Sequence, residues 1–245
     1  MSKTKISDYD PLLFQGIAHR GLWNDEYTEN GLKAFKNAID HHCAFELDIH
    51  LTKDGELVVC HDGELERTTG KKGRIEHLTL AEIKSDYRLH DGGEIPTMKE
   101  VLELTNEQVP IVVELKVEEK NYKALGKKAA EFFNDIRDKR KITFISFDPR
   151  ALHYARKAPY TRGLLLIHHR YFARICRHMN HYLDVEDVLV DKKAVVSYRK
   201  KGHPINVWTI EKEEDLVRVA PYVDMITFQK LPLERVREEI AKYRK

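Results

Sequence analysis

The stretch ELDIHLTKDGELVVCHD (46–62) has the composition of two short strands around a turn, yet it opens with Glu46 and Asp48 and closes with His61 and Asp62. Asp-Gly is the strongest short hairpin signal, and Asp54-Gly55 falls between LDIHLT and ELVVC, which predicts a two-residue turn pairing Lys53 with Glu56. That register sets Asp48 opposite His61 with Cβ atoms about 5 Å apart, and the period of two brings Glu46 to the same face. Leu47, Ile49, Leu51 and Cys60 take the other side. One hairpin thereby gathers two acids and a histidine into one patch; the plain alternative is the solvated face of an amphipathic hairpin.

Outward from this hairpin, short apolar runs recur at GIAH (16–19), FELDIHL (45–51), IVVELK (111–116), TFISF (143–147), GLLLIH (163–168), DVLVD (187–191), INVWTI (205–210) and DMITF (224–228). Helical spacing lies between them at 29–41, 121–137, 149–157, 194–201 and 211–220, and again from Pro232 onward. Strands alternating with helices argue for parallel βαβ units, and eight of them make a TIM (β/α)8 barrel over residues 1–245 as a single α/β domain. The chain has no GxGxxG after the first strand and no P-loop pattern, which removes the usual reasons to prefer a doubly wound open sheet. Residues 62–110 break the rhythm with GKKG (70–73), DGG (91–93), Pro96 and a helix near 97–105. They are expected to form an insertion after the second strand that caps one end of the barrel.

Hydrophobic residues make up 42% of the 245 and charged residues 33%, the balance of a folded globular chain. A net charge of +2 gives no argument for nucleic acid or a membrane. Cys43, Cys60 and Cys176 are odd in number and widely spaced, which points to reduced, buried thiols and away from a disulfide frame or a zinc site. The start lacks a signal-peptide apolar run and no stretch is long enough to span a bilayer, so a cytoplasmic location is expected. His168, His169, Arg170, Tyr171, Phe172, Arg174, Arg177 and His178 form a basic, aromatic run; a solvated barrel loop is favoured over peripheral membrane contact.

In a barrel, side chains late in the strands converge on one mouth. GIAHRG ends in His19 and Arg20, the second strand carries Glu46 and Asp48, and IVVELK ends in Glu114 and Lys116. Three carboxylates in a partly desolvated mouth repel each other and tend to hold protons unless a cation sits among them. Ligation by oxygen alone suits one Mg²⁺ or Ca²⁺ and speaks against zinc; direct neutralisation by Lys116 and Arg20 is the alternative. His19 and His61 are placed as proton acceptor and donor, without a decision between them, and Arg20 and Lys116 as fixed positive charge for an anionic substrate. Such a set describes phosphoryl-ester cleavage.

IAHRG (17–21), TENGLKAF (28–35), ELDIHLTKDGELVVCHD (46–62), VVELK (112–116), VWT (207–209) and a late Asp-x-Ile-Thr together resemble the glycerophosphodiester phosphodiesterase family, in order and over nearly the whole chain. The resemblance implies a TIM barrel with an inserted segment and hydrolysis of small-molecule glycerophosphodiesters to glycerol 3-phosphate and an alcohol, with one Mg²⁺ or Ca²⁺. By position it puts Glu46, Asp48 and Glu114 on the metal, His19 and His61 on the acid–base pair, and Arg20 and Lys116 on the phosphate. Glu29 would orient the first-strand residues or a glycerol hydroxyl, and Trp208 matches a pocket residue. The chain departs from the family's usual Pro-Glu-Asn-Thr at Thr28 and Gly31 while keeping Glu29 and Asn30, and again in the last strand, where Phe228 follows Thr227 and a polar rim position is expected to have become aromatic. Lysophospholipase D-like action on single-chain lipids and a non-catalytic phosphodiester-binding barrel are the alternatives.

Overall fold

Eight strands run parallel: β1 (Ile17–Ala18), β2 (Ala44–Leu51), β4 (Ile111–Leu115), β5 (Ile142–Ser146), β6 (Thr161–Leu166), β7 (Tyr182–Glu186), β8 (Ile205–Ile210) and β9 (Met225–Phe228). Because β1 pairs with both β2 and β9, the sheet closes on itself and leaves no open edge among these eight. The TIM barrel expected from the alternation is the fold, seen in a computed structural model that describes residues 6–167 and 181–244. The ninth strand, β3 (Leu57–Val59), pairs antiparallel with β2.

Helices α1 (Leu32–Asp40), α4 (Met98–Thr105), α5 (Tyr122–Phe132), α6 (Pro149–Ala155), α7 (Lys193–Arg199), α8 (Glu213–Val219) and α9 (Leu233–Ala241) follow strands in the barrel rhythm. Their starts are chemically specified: Thr97 and Glu100 form a reciprocal capping box, and Asp148 caps α6 with Pro149 in the first turn. Two further helices, α2 (Glu66–Thr69) and α3 (Leu80–Asp86), lie between β3 and α4. Around them Val58, Cys60, Leu65, Ile75, Ile83, Tyr87, Leu89 and Ile95 form a separate small core. Among the described residues, no helix is long and apolar enough to cross a membrane. The basic run 168–178 and Cys176 lie outside the described residues; Cys43 and Cys60 are free and buried.

The period of two divides each strand between two cores. Phe45, Leu47, Ile49, Val113, Phe144, Leu164, Val185 and Val207 pack outward against the helices. Ala44, Val112, Ile145, Leu165, Tyr182 and Met225 join Tyr9 and Leu13 in an inner cluster. This apolar plug fills the barrel interior and leaves polar side chains to occupy the other end.

Three expectations are corrected. The hairpin register is one residue away from the one predicted: Leu51 pairs with Leu57 and Ile49 with Val59, and Cys60 N–H donates to the Asp48 carbonyl at 3.1 Å. Asp48 therefore faces Cys60, and His61 enters the mouth from the loop beyond β3. The cause is the Asp54 side chain, which accepts from the Thr52 hydroxyl at 2.6 Å and from Leu80 N–H at 3.1 Å. With Asp54 engaged there, Gly55 alone adopts the left-handed backbone (φ +85°), in a loop of Lys53, Asp54 and Gly55 closed by Thr52 and Glu56.

Strand β7 is YLDVE (182–186); the expected strand DVLVD (187–191) begins with a 3₁₀ turn, Asp187–Leu189, and Val190 after it reaches the outer core. Asp184 and Glu186 interrupt the apolar pattern that would have marked the true strand. Phe228 is 1% exposed and belongs to the outer core with Val236, so it does not stand at the rim.

Gly163 shows how tightly the plug is filled. A Cβ there would meet the Tyr182 ring at 2.3 Å, because the ring lies flat against the glycine backbone. Gly163→Ala is expected to destabilise the fold by about 1–3 kcal/mol through overpacking. Urea unfolding checks this, and an unchanged midpoint would refute the packing account.

Candidate active site

Alternation along β2 turns Glu46 and Asp48 into the barrel, and the β2–β4 register places Asp48 directly beside Glu114. The three carboxylates are buried, with one oxygen from each lying within 4.8 Å of the others. Burial drives the Glu46 carboxyl well above the usual carboxylate range, and the charges of Asp48 and Glu114 add to the effect. Glu114 is pushed up to about 8, again chiefly by burial. Asp48 is also buried, but Lys116, His61 and Arg20 outweigh that cost and hold it below the usual range.

The surrounding cations and amides reach only part of this charge. Lys116 Nζ lies 3.1 Å from Glu114 Oε1 and 3.5 Å from Asp48 Oδ1, and Arg20 Nε lies 3.6 Å from Asp48 Oδ2. Asn30 Nδ2 donates to Asp48 Oδ2 at 2.8 Å. Asp48 Oδ1 is buried and accepts no hydrogen bond. A buried carboxylate oxygen that has one ammonium at 3.5 Å but no hydrogen bond, and that faces two further carboxylates, fits a hard divalent cation held by oxygen ligands.

A tight turn after β1 aims the next two residues at this cluster. Gly21 N–H donates to the Ala18 carbonyl, Arg20 takes a left-handed backbone (φ +58°), and its N–H donates to Glu46 Oε2 at 3.0 Å. His19 Nε2 stands 3.9 Å from the same Glu46 oxygen, while its Nδ1 donates to Gln229 Oε1 at 2.6 Å. Burial, with the charge of Arg20, lowers the His19 imidazole to about 4. His61 is bonded through Nδ1 to Asp62 Oδ1 at 2.6 Å, and burial lowers it also. Both histidines line one cavity of about 100 Å³ with Arg20, Glu46, Glu114 and Trp208.

His19, Arg20, Glu46, Asp48, His61, Glu114, Lys116 and Trp208 therefore lie at one end of the barrel, with Glu29 one step behind. Glu29 accepts from Arg20 Nη1 at 2.8 Å and from Arg67 Nη2 at 2.6 Å, so it orients the cations. Trp208 stands edge-on to Phe147 at 5.4 Å and donates to the Asp184 carbonyl at 3.2 Å.

Other contributors were not singled out from sequence. His50 is fully buried, with Nδ1 2.8 Å from Glu76 Oε1 and Nε2 3.2 Å from the His61 carbonyl, contacts that bear on the loop that presents His61. The signal was present, since His50 continues the face of Glu46 and Asp48. Asp184, also on the cavity wall, is raised to about 7 by burial against the lowering hydrogen bond from Asn206. Gln229 and Arg67 carried no sequence signal, because each acts through a partner distant along the chain, whereas Asn30 belongs to the TENGLKAF stretch of the family resemblance and holds Asp48 Oδ2.

The Glycerophosphoryl diester phosphodiesterase family matches residues 19–227. A glycerophosphodiester phosphodiesterase of Caldanaerobacter subterraneus is 33% identical over 220 residues, covering 83% of this chain and 88% of that protein. A lysophospholipase D of Mus musculus is 36% identical over 132 residues, covering 49% of this chain and 40% of that one. The structure of an Oleispira antarctica phosphodiesterase in complex with the product sn-glycerol-3-phosphate superposes with a TM-score of 0.82 at 25% identity, covering 94% of this chain and 97% of the other. With a buried carboxylate trio at the mouth of a closed barrel and a match that spans the barrel, the chain belongs to the glycerophosphoryl diester phosphodiesterase family, the phosphoric diester hydrolases that cleave glycerophosphodiesters.

Proposed function

We propose that the chain hydrolyses small glycerophosphodiesters to glycerol 3-phosphate and an alcohol, with Glu46, Asp48 and Glu114 holding one Mg²⁺ or Ca²⁺ and His19 and His61 moving the protons. The observation that carries this reading is the buried trio of carboxylates, within 4.8 Å of one another and walled by two imidazoles, whose Asp48 Oδ1 has an ammonium at 3.5 Å but no hydrogen bond among the described residues. The bound cation supplies positive charge where phosphate oxygens gain negative charge. Lys116 and Arg20 bind the remaining phosphate oxygens, the guanidinium through paired N–H donors and the ammonium as a point charge.

The partners of the two histidines support different roles. Gln229 accepts the Nδ1 proton of His19, which leaves the Nε2 lone pair facing the cluster, as a base requires. His61 is backed by the Asp62 carboxylate, which favours the protonated imidazole that gives its proton to the departing alcohol. The attacking group is water or the substrate's own glycerol hydroxyl.

A groove of about 660 Å³ runs from Glu114 and Lys116 past the exposed Phe147 ring. Its size favours a second reading, in which larger alcohols such as a single-chain lipid are accommodated on the leaving side. Parallel assays on glycerophosphocholine, glycerophosphoethanolamine and lysophosphatidylcholine decide between the two; turnover of the lipid alone would replace the first by the second.

Replacing either His19 or His61 by Ala is expected to lower kcat about 10²–10⁴-fold. The two roles separate with leaving groups. A p-nitrophenyl ester needs no proton donor, so His61→Gln regains most activity on it while His19→Gln does not; equal recovery in both would refute the assignment. Ca²⁺ or Mg²⁺ should raise the melting temperature of wild type and leave Asp48→Asn nearly unmoved, because the site binds only the folded chain. Identical shifts in both proteins would remove Asp48 from the metal.

A further inference from the structure

A second cationic site lies at the opposite end of the barrel. Arg162 is the second residue of β6, and it is only 6% exposed. Its Nη1 donates to the Tyr160 carbonyl at 3.2 Å, whereas its Nε has no hydrogen-bond partner among the described residues. Among the described residues, no carboxylate lies within ion-pairing distance of it. A buried guanidinium without a counter-charge costs free energy, and the neighbouring charge here has the same sign. Burial first, and then the charge of Arg156, hold Arg162 below the usual arginine value.

The guanidinium lines a groove of about 550 Å³ built from segments that precede β5, β6 and β7, and therefore from the strand ends farthest from the carboxylates. Two other cations of the wall are already engaged. Arg140 closes on Asp138 at 2.8 Å, and Lys139 donates to the carbonyls of Asn134 and Ile136. Arg156 is exposed, touches the ring of His153, and pairs with no carboxylate among the described residues. His181 Nδ1 accepts the Arg162 backbone N–H at 2.9 Å, which places the ring proton on Nε2 as a further donor. Asp8 also lines the groove, and its charge bears on His181.

We propose that this groove binds inorganic phosphate or a small phosphate monoester through the Arg162 and Arg156 guanidinium groups, at the end of the barrel remote from the carboxylate site. A phosphate dianion neutralises two like charges at once, and its oxygens match the paired N–H donors of a guanidinium. The carboxylates at the other end do not enter this argument, so the site stands whether or not the catalytic reading does.

Titrating ¹⁵N-labelled protein with inorganic phosphate at constant ionic strength tests the site through the arginine Nε–Hε resonances. The Arg162 signal, assigned by its loss in Arg162→Lys, is expected to move saturably. Arg156→Met should weaken that saturation about tenfold, the loss of one charge-assisted contact. Arg162→Met should abolish the phosphate-dependent shifts of neighbouring backbone amides. Should that variant fail to fold, wild type and Arg156→Met carry the test. An Arg162 signal that does not saturate, or that chloride moves as far as phosphate does, overturns the proposal.

Discussion

The repulsion among Glu46, Asp48 and Glu114 is the constraint around which the upper half of the barrel is arranged. Two of the three are adjacent in the β2–β4 register, and the third precedes Asp48 by one period of the strand. Buried together within 4.8 Å, they cannot all be ionised without a compensating charge. Arg20 and Lys116 supply part of it at ion-pair distances, and Asn30 a neutral donor. The remaining deficit appears as raised proton affinity at Glu46 and Glu114. A compensating positive charge placed among the three oxygens would lower that cost.

The rest of the molecule makes that strain tolerable. An apolar plug built on Tyr9, Leu13 and Tyr182 fills one end of the cylinder, so hydrophobic burial stabilises the same strands that carry the acids. The outer core against the helices does the same from the other side. Supporting contacts then fix the loop groups: His50, itself against Glu76, holds the His61 carbonyl, and Arg67 bridges Glu29 and Asp62. Each imidazole thus enters the mouth with its backbone or its far nitrogen already held.

Cations are treated differently at the two ends. Near the mouth, every arginine discussed faces an acid: Arg20 meets Glu29 and Asp48, and Arg67 meets Glu29 and Asp62. At the far end Arg162 is buried beside Arg156 with neither paired to a carboxylate among the described residues. Buried charge is ordinarily matched inside the chain, so an unmatched guanidinium marks a place where the matching charge comes from outside.

Local pattern determined much of this protein. The period of two in ELDIHL, the acids and imidazole beside it, and the late polar residues of GIAHRG and IVVELK were sufficient to indicate a barrel with Glu46, Asp48, Glu114, His19 and His61 at one mouth. Local pattern failed where a residue's role depends on a distant partner. Asp54 gave up the predicted two-residue turn because Leu80 offered it an N–H, which moved the hairpin register by one. YLDVE escaped notice because Asp184 looks polar in sequence and is buried against Asn206 in space. His50 and Gln229 acquire meaning only from Glu76, His61 and His19. Strand period and residue chemistry are carried by neighbours in the chain, whereas register, burial and hydrogen-bond partners are settled by closure of the barrel, which brings together residues up to 210 positions apart.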